Sequence, residues 1–118
     1  MSDHQLAHQC INDDTCVIET ESALDNNNAH RMHGAIGELL GKGFKHIIVD
    51  MHRLEFLASA GVGSIIGNVE TAREAGGDII LCNLSSPIRH VLDVLDLGDY
   101  LTVVGDIDVA KVQAGVEA

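Results

Sequence analysis

The sequence predicts an α/β fold, a single domain over residues 1–118 with a mixed, mainly parallel sheet of four to five strands and about four helices. Short β-branched runs alternate with stretches in which apolar residues recur every three or four positions, and this is the pattern of buried strands alternating with amphipathic helices. Two strand-like runs at residues 5–11 and 15–20 flank a turn signal at 12–14, which predicts an antiparallel hairpin at one edge of the sheet.

The helices and strands after the hairpin follow in strict alternation. The first helix has Asp25 or Asn26 as its N-cap, and Ser85 or Ser86 caps the third helix ahead of Pro87. The predicted order is a helix over about 29–40, a strand over 47–50, a helix over about 62–72, a strand over 78–84, a helix from about 87 to 95, a strand over 101–104 and a helix over about 109–113 with Asp106 or Asp108 as its cap.

Composition excludes several classes of function. The formal net charge of −11 argues against binding to nucleic acid or to anionic membrane surfaces, which attract basic proteins. No apolar run approaches the ~20 residues of a membrane-spanning helix, and the first ten residues do not resemble a signal peptide, so we expect a cytoplasmic protein. The three cysteines are too few for a disulfide framework, and Cys16 and Cys82 lie in apolar runs that predict buried thiols.

Catalytic and ligand-binding motifs are missing from the sequence. It contains no P-loop, no dinucleotide-binding glycine motif and no convincing metal-ligand spacing, so we expect neither a cofactor nor a metal. A nucleophilic Ser59 would require glycine two residues before it in a nucleophile elbow, and Leu57 stands there instead. We therefore expect a protein that is not an enzyme.

The segment that links the strand at 47–50 to the second helix is rich in small residues. Ser59 stands where a helix N-cap is expected, and its simplest role is to cap that helix. A second role is as a phosphate acceptor, because a phosphate there would meet free N–H groups and the positive end of the helix dipole. Gly61 and Gly63 disfavour a helix and indicate that another backbone approaches closely.

Three groups of residues together resemble a STAS domain of the bacterial anti-sigma factor antagonist type. They are Leu24 with Asp25 after the second strand, the segments 46–51 and 54–57, and the turn 59–63 followed by 75–83. The resemblance covers nearly the whole chain, from about Leu6 to Val109, and it implies the STAS fold.

The resemblance also implies a site and a partner. Ser59 matches the family's phosphorylated serine, Gly61 and Gly63 match its two glycines, and Asp25 matches its Asp near the acceptor. Ala58 replaces the acidic residue that precedes the acceptor, and Ala60 replaces a hydroxyl residue. The predicted partner-binding set is Asp25, Ala58, Ser59, Ala60, Gly61, Val62 and Gly63.

The function implied by this likeness is partner switching. The unmodified chain binds an anti-sigma factor that is also a serine protein kinase, phosphorylation of Ser59 releases that partner, and a PP2C-type phosphatase restores the unmodified form. The alternative is a constitutive STAS scaffold or adaptor subunit of a larger assembly, which the alanines at positions 58 and 60 favour.

Overall fold

The structure is a computed structural model that describes residues 8–116. Within that range the strands are β1 (His8–Cys10), β2 (Thr15–Glu19), β3 (Ala23–Leu24), β4 (His46–Asp50), β5 (Phe56–Leu57), β6 (Asp78–Cys82) and β7 (Thr102–Val104). The helices are α1 (Ala29–Gly41), α2 (Ser59–Ile66), α3 (Val69–Glu74), α4 (Ser86–Val94) and α5 (Ile107–Gln113).

The main sheet has five strands in the order β1-β2-β4-β6-β7. β1 runs antiparallel to β2, and every other pair in this sheet is parallel, so the predicted mixed and mainly parallel sheet is confirmed. The predicted hairpin is confirmed as well, with Cys10 opposite Cys16 across the turn. Residues 5–7, which belong to the predicted first strand, lie outside the described residues.

Strand residues point alternately to two faces of the sheet, and helices cover both faces. Ile47 and Val49 of β4 face a large core beneath α1, α2, α3 and α4, whereas Ile48 between them faces a smaller core beneath α5. All three side chains are fully buried. This two-sided burial explains why the central strands are continuous apolar runs without polar alternation.

The second predicted helix is interrupted. Its apolar positions are continuous in the sequence, but the chain forms α2 and α3 with Gly67 and Asn68 between them. A Cβ on Gly67 would lie 3.0 Å from the His33 ring of α1, and the Asn68 amide donates to the His33 carbonyl oxygen at 3.0 Å. Packing against α1 accounts for the break, and if α2 and α3 are taken as one interrupted helix the described chain has the expected four.

Side-chain caps were predicted correctly at α4 and α5 and wrongly at α1. The Ser85 hydroxyl accepts from the Ile88 N–H at the start of α4, and the Asp106 carboxylate accepts from the Val109 N–H at the start of α5. The prediction of Asp25 or Asn26 as the cap of α1 is wrong, because the chain first completes a turn and the helix begins after Asn28.

One cysteine prediction is wrong and one is confirmed. Cys10 and Cys16 form a disulfide across the hairpin, so Cys16 is not a free thiol although it is fully buried. Its partner was missed because the antiparallel register, and not the spacing in the sequence, places the two residues side by side. Cys82 is a buried free thiol as predicted. In residues 8–116, no helix has the length and apolar character that crossing a membrane requires.

Candidate partner-binding site

A short parallel pair of strands, β3 with β5, builds the site above the main sheet. Leu24 pairs with Leu57, and the Ala58 N–H donates to the Leu24 carbonyl oxygen at 3.0 Å. Continuing this register brings Asp25 to the level of Ala58. The first motif of the sequence and the small-residue turn, which are more than thirty residues apart along the chain, are therefore neighbours.

Ser59 is the first residue of α2 and not its cap. Ala58 occupies the N-cap position in an extended conformation, and no side chain caps this helix. The capping role considered for Ser59 is therefore wrong. The hydrogen bond from the Ala58 N–H to β3 accompanies an extended Ala58, and the helix begins at the next residue, one position earlier than a cap at Ser59 would require. Ser59 is exposed, and its hydroxyl has no hydrogen-bond partner among the described residues. It is thus accessible to a modifying enzyme.

The start of α2 favours a negative charge. The first N–H groups of a helix lack intrahelical acceptors, and the helix dipole places partial positive charge there. No acidic residue lies in the first turn of α2 to offset this effect. A phosphate on Ser59 would therefore be stabilised locally by peptide groups that are already in place.

The hydrogen bonds of Asp25 that involve a side chain are made within its own loop. Its carboxylate accepts from the Asn27 N–H at 2.9 Å, and its own N–H donates to the Asn28 side chain at 2.9 Å. The Asn28 amide in turn donates to the Ala23 carbonyl oxygen at 2.8 Å. These bonds hold the loop between β3 and α1 beside the Ser59 turn, and they leave the Asp25 residue partly exposed.

The two glycines of the turn have different surroundings. A Cβ on Gly61 would lie 2.5 Å from the Leu24 carbonyl oxygen, so the predicted close backbone approach is confirmed there. A Cβ on Gly63 would meet nothing within 4 Å, and the same prediction is wrong at that position. Only the first glycine is required for docking α2 against β3.

Burial divides the predicted partner-binding residues into two groups. Gly61 is buried and Val62 is 4% exposed in the large core, so these two shape the surface from below. The side facing solvent comprises Asp25, Ala58, Ser59, Ala60 and Gly63, which are partly or fully exposed. Their contact with a partner stays a prediction.

Phe56 belongs to the same surface and was missed in the sequence. It is 57% exposed, while its neighbour Leu57 points inward and is 6% exposed. The alternation of an outward and an inward residue was the available signal, but a strand of two residues is too short to reveal it. An exposed aromatic side chain three residues before Ser59 is a natural contact for a protein partner.

A polar network stands at the carboxyl ends of β4 and β6. The Asp50 carboxylate accepts from the Asn83 amide at 3.0 Å and from the His52 N–H at 3.1 Å, and the His52 ring lies 3.0 Å away. Burial opposes ionisation of Asp50, but these hydrogen bonds outweigh it and lower the pKa of Asp50. Burial, together with the charges of Asp50 and Asp106, raises the pKa of the nearby Cys82 thiol to about 12, which makes that thiol unreactive.

The fold and the site together define a small α/β domain with an exposed serine at the start of the helix that follows the β3–β5 pair. The family model described as STAS domain matches residues 9–110. The chain belongs to the STAS domain family.

Relatives of this chain are anti-sigma factor antagonists. It is 23% identical over 82 residues to the anti-sigma F factor antagonist of Paenibacillus polymyxa, an alignment covering 69% of this chain and 70% of the relative. The structure of the anti-sigma factor antagonist SpoIIAA in its unphosphorylated form superposes with a TM-score of 0.81 at 23% identity, covering 97% of this chain and all of that one. The phosphorylated form of Bacillus SpoIIAA superposes with a TM-score of 0.72 at 24% identity, covering 92% of this chain and 96% of that one.

Proposed function

We propose that this chain is a partner-switching regulator of the anti-sigma factor antagonist type. With Ser59 unmodified it binds an anti-sigma factor that is also a serine protein kinase, and phosphorylation of Ser59 releases that partner. A PP2C-type phosphatase removes the phosphate. The observation that carries this proposal is the position of Ser59, which is exposed and uncapped at the first residue of α2.

The charge change at Ser59 supplies the physical basis for release. A phosphate adds about −1.5 to −2 charges and three acceptor oxygens to a surface whose other exposed residues include Ala58, Ala60, Phe56 and the acidic Asp25. A partner that covers this surface would have to desolvate the phosphate, which is costly without a matching cation. A tenfold loss of affinity corresponds to only about 1.4 kcal/mol of binding free energy, which is less than the cost of burying an unpaired charge.

The same local geometry explains why the modified chain would stay folded. The first-turn amides of α2 and the helix dipole stabilise a negative charge at Ser59. Phosphorylation is therefore expected to change binding without unfolding α2. A phosphorylation switch requires this behaviour, because the modification must lower the affinity for the partner while the domain stays folded.

The first experiment is intact-mass measurement of the protein from its own cells, with peptide mapping across residues 54–73. The second measures affinity for each purified anti-sigma factor kinase of those cells, using the unmodified protein, Ser59→Ala and Ser59→Asp. We expect Ser59→Ala to retain binding and Ser59→Asp to weaken it by about tenfold or more.

Ser86 offers a matched control for these measurements. It is exposed and is the first residue of α4, as Ser59 is the first residue of α2. If release depends on Ser59 itself and not on any added charge at a helix start, Ser86→Asp leaves the affinity unchanged. Undiminished binding by the Ser59-phosphorylated protein would rule out the switch.

The second candidate function is a constitutive adaptor within a larger assembly. It is favoured by Ala58, which leaves no acidic side chain next to Ser59 to help orient a kinase. An adaptor would carry no phosphate on Ser59 under any growth condition, and its complex would withstand Ser59→Asp. In either case we propose a cytoplasmic binding protein without catalytic activity, because that is the character of the anti-sigma factor antagonists it resembles.

A further inference from the structure

We propose that Asn28 is a positioning residue for the partner-binding surface, and that its side-chain amide holds the Asp25 loop beside the Ser59 turn. This inference rests on the proposed function, because it concerns how the two parts of that surface are kept together. Asn28 acts through the backbone of neighbouring residues, and we assign it no contact with the partner.

The Asn28 side chain bonds in the direction opposite to that of a helix cap. Asn28 is the N-cap residue of α1, but its side chain makes no capping hydrogen bond to the helix. A capping asparagine accepts, through its side-chain oxygen, from an N–H group two or three residues ahead of it. The Asn28 oxygen instead accepts at 2.9 Å from the Asp25 N–H, which lies three residues behind it. The side chain therefore stabilises the segment that precedes α1.

Both polar atoms of the Asn28 amide are used. Its nitrogen donates to the Ala23 carbonyl oxygen at 2.8 Å, while its oxygen accepts from the Asp25 N–H. These two partners flank Leu24, whose carbonyl oxygen accepts from the Ala58 N–H. The pair of bonds requires one donor and one acceptor in the same planar group, which an amide supplies and an ionised carboxylate does not.

Backbone hydrogen bonds complete the loop between β3 and α1. The Asn28 N–H donates to the Asp25 carbonyl oxygen at 3.3 Å, so Asp25 and Asn28 exchange hydrogen bonds in both directions. The Asn27 N–H donates to the Asp25 carboxylate at 2.9 Å, which fixes the direction of that side chain. The orientation of Asp25 therefore depends on bonds that close on Asn28.

Strand β3 connects this loop to the Ser59 turn. Ala23 lies opposite Phe56 in the parallel register, and the Leu24 carbonyl oxygen accepts from the Ala58 N–H at 3.0 Å. The Asn28 amide is bonded to the first residue of β3 and to the residue that follows its last. A change in these two bonds is therefore expected to reach the backbone that leads into α2.

Asn28→Asp separates positioning from helix capping. Asp is as favourable an N-cap as Asn, and its charge suits the start of a helix, so α1 should not be weakened. The new carboxylate can still accept from the Asp25 N–H, but it cannot donate to the Ala23 carbonyl oxygen. Asn26→Asp is the matched control, because it adds the same charge to the same loop at an exposed residue whose side chain has no hydrogen bond to the described residues.

Amide hydrogen exchange of the free chain, followed by NMR, tests the positioning without a partner. We expect the Ala58 amide to exchange about fivefold faster or more in Asn28→Asp than in the wild type, while residues 32–39 of α1 keep their protection. Asn26→Asp should match the wild type at both places. Unchanged exchange at Ala58, or a loss of protection throughout α1, would overturn the positioning role.

The second measurement is the affinity of each variant for the purified anti-sigma factor kinase, by titration calorimetry at a temperature where every variant is folded. We expect Asn28→Asp to bind about fivefold more weakly or worse, and Asn26→Asp to bind as the wild type does. Equal affinities of Asn28→Asp and the wild type, or equal losses in the two variants, would overturn the role of Asn28 in partner recognition. Failure of the wild type to bind any such kinase would instead overturn the proposed function, and the exchange measurement would still decide whether Asn28 holds the turn.

Discussion

Gly61 of α2 lies against Leu24 of β3 so closely that a Cβ on the glycine would be 2.5 Å from the Leu24 carbonyl oxygen and 2.8 Å from its side chain. This contact sets the distance between the loop that carries Asp25 and the helix that begins at Ser59. Backbone atoms form part of the contact, so a side chain at position 61 could be accommodated only by moving the helix or the strand. The placement of the candidate phosphorylation site thus depends on a glycine below the surface.

Gly61→Ala is expected to lower the free energy of unfolding by about 1–3 kcal/mol, the usual cost of overpacking a tight contact. Gly63→Ala is the matched control, because its Cβ would meet nothing within 4 Å and alanine favours a helix over glycine by up to about 1 kcal/mol. Urea unfolding of both variants tests this prediction. Equal stabilities for the two variants would contradict the close approach at Gly61.

Phe56→Ala is expected to weaken binding to the anti-sigma factor kinase by about tenfold or more, since aromatic residues often dominate interface energies. The side chain is 57% exposed, so the free energy of unfolding should change little. Val112→Ala is the control, because Val112 is 68% exposed on α5, the helix on the opposite face of the sheet. Titration calorimetry with the same partner compares the two, and equal affinities would remove Phe56 from the interface.

Asn68→Ala is expected to lower the free energy of unfolding by about 1–2 kcal/mol. Asn68 is 7% exposed, and its amide donates to the His33 carbonyl oxygen at 3.0 Å, joining the break between α2 and α3 to α1. Asn27→Ala is a suitable comparison, since that residue is exposed. Thermal unfolding monitored by circular dichroism should separate the two, and a loss no larger than that of Asn27→Ala would show that the bond is dispensable.

Asp50→Asn tests the polar network at the ends of β4 and β6. The pKa of Asp50 lies below its ordinary value of 3.8 in the folded chain, so the folded state favours the carboxylate. The ionised carboxylate therefore stabilises the fold fully above about pH 5, and this stabilisation is lost as the pH falls through the lowered pKa of Asp50 in the folded state. We expect the free energy of unfolding of the wild type to exceed that of the variant by about 1–2 kcal/mol at pH 7.

The pH dependence of this difference shows whether the charge of the Asp50 carboxylate, and not only the shape of the side chain, stabilises the fold. The difference in unfolding free energy between wild type and Asp50→Asn, measured in urea at several pH values, should hold from pH 7 to about pH 5 and shrink below about pH 4. Other acidic groups titrate in both proteins and cancel in the difference. A difference that stayed constant down to about pH 3 would show that the carboxylate charge contributes nothing.

Local sequence patterns predicted most of the main sheet and its helices. The apolar run at β4 and the helical spacing in α1 were readable because each depends on the residues of one segment and on one buried face. Ser85 and Asp106 were readable as caps because a cap bonds to residues only three positions ahead. The family resemblance pointed to Ser59 because it rests on residue order along the chain.

Contacts between distant segments decided the remaining features. The Cys10–Cys16 disulfide follows from hairpin register, and the break at Gly67 follows from the ring of His33 on another helix. The start of α2 one residue after Ala58 follows from a hydrogen bond to Leu24, a residue more than thirty positions earlier. Periodicity within one segment reports which side of it is buried, but the identity of the neighbouring atoms is set only when the segments pack, because that is when steric fit and backbone hydrogen bonding select one arrangement.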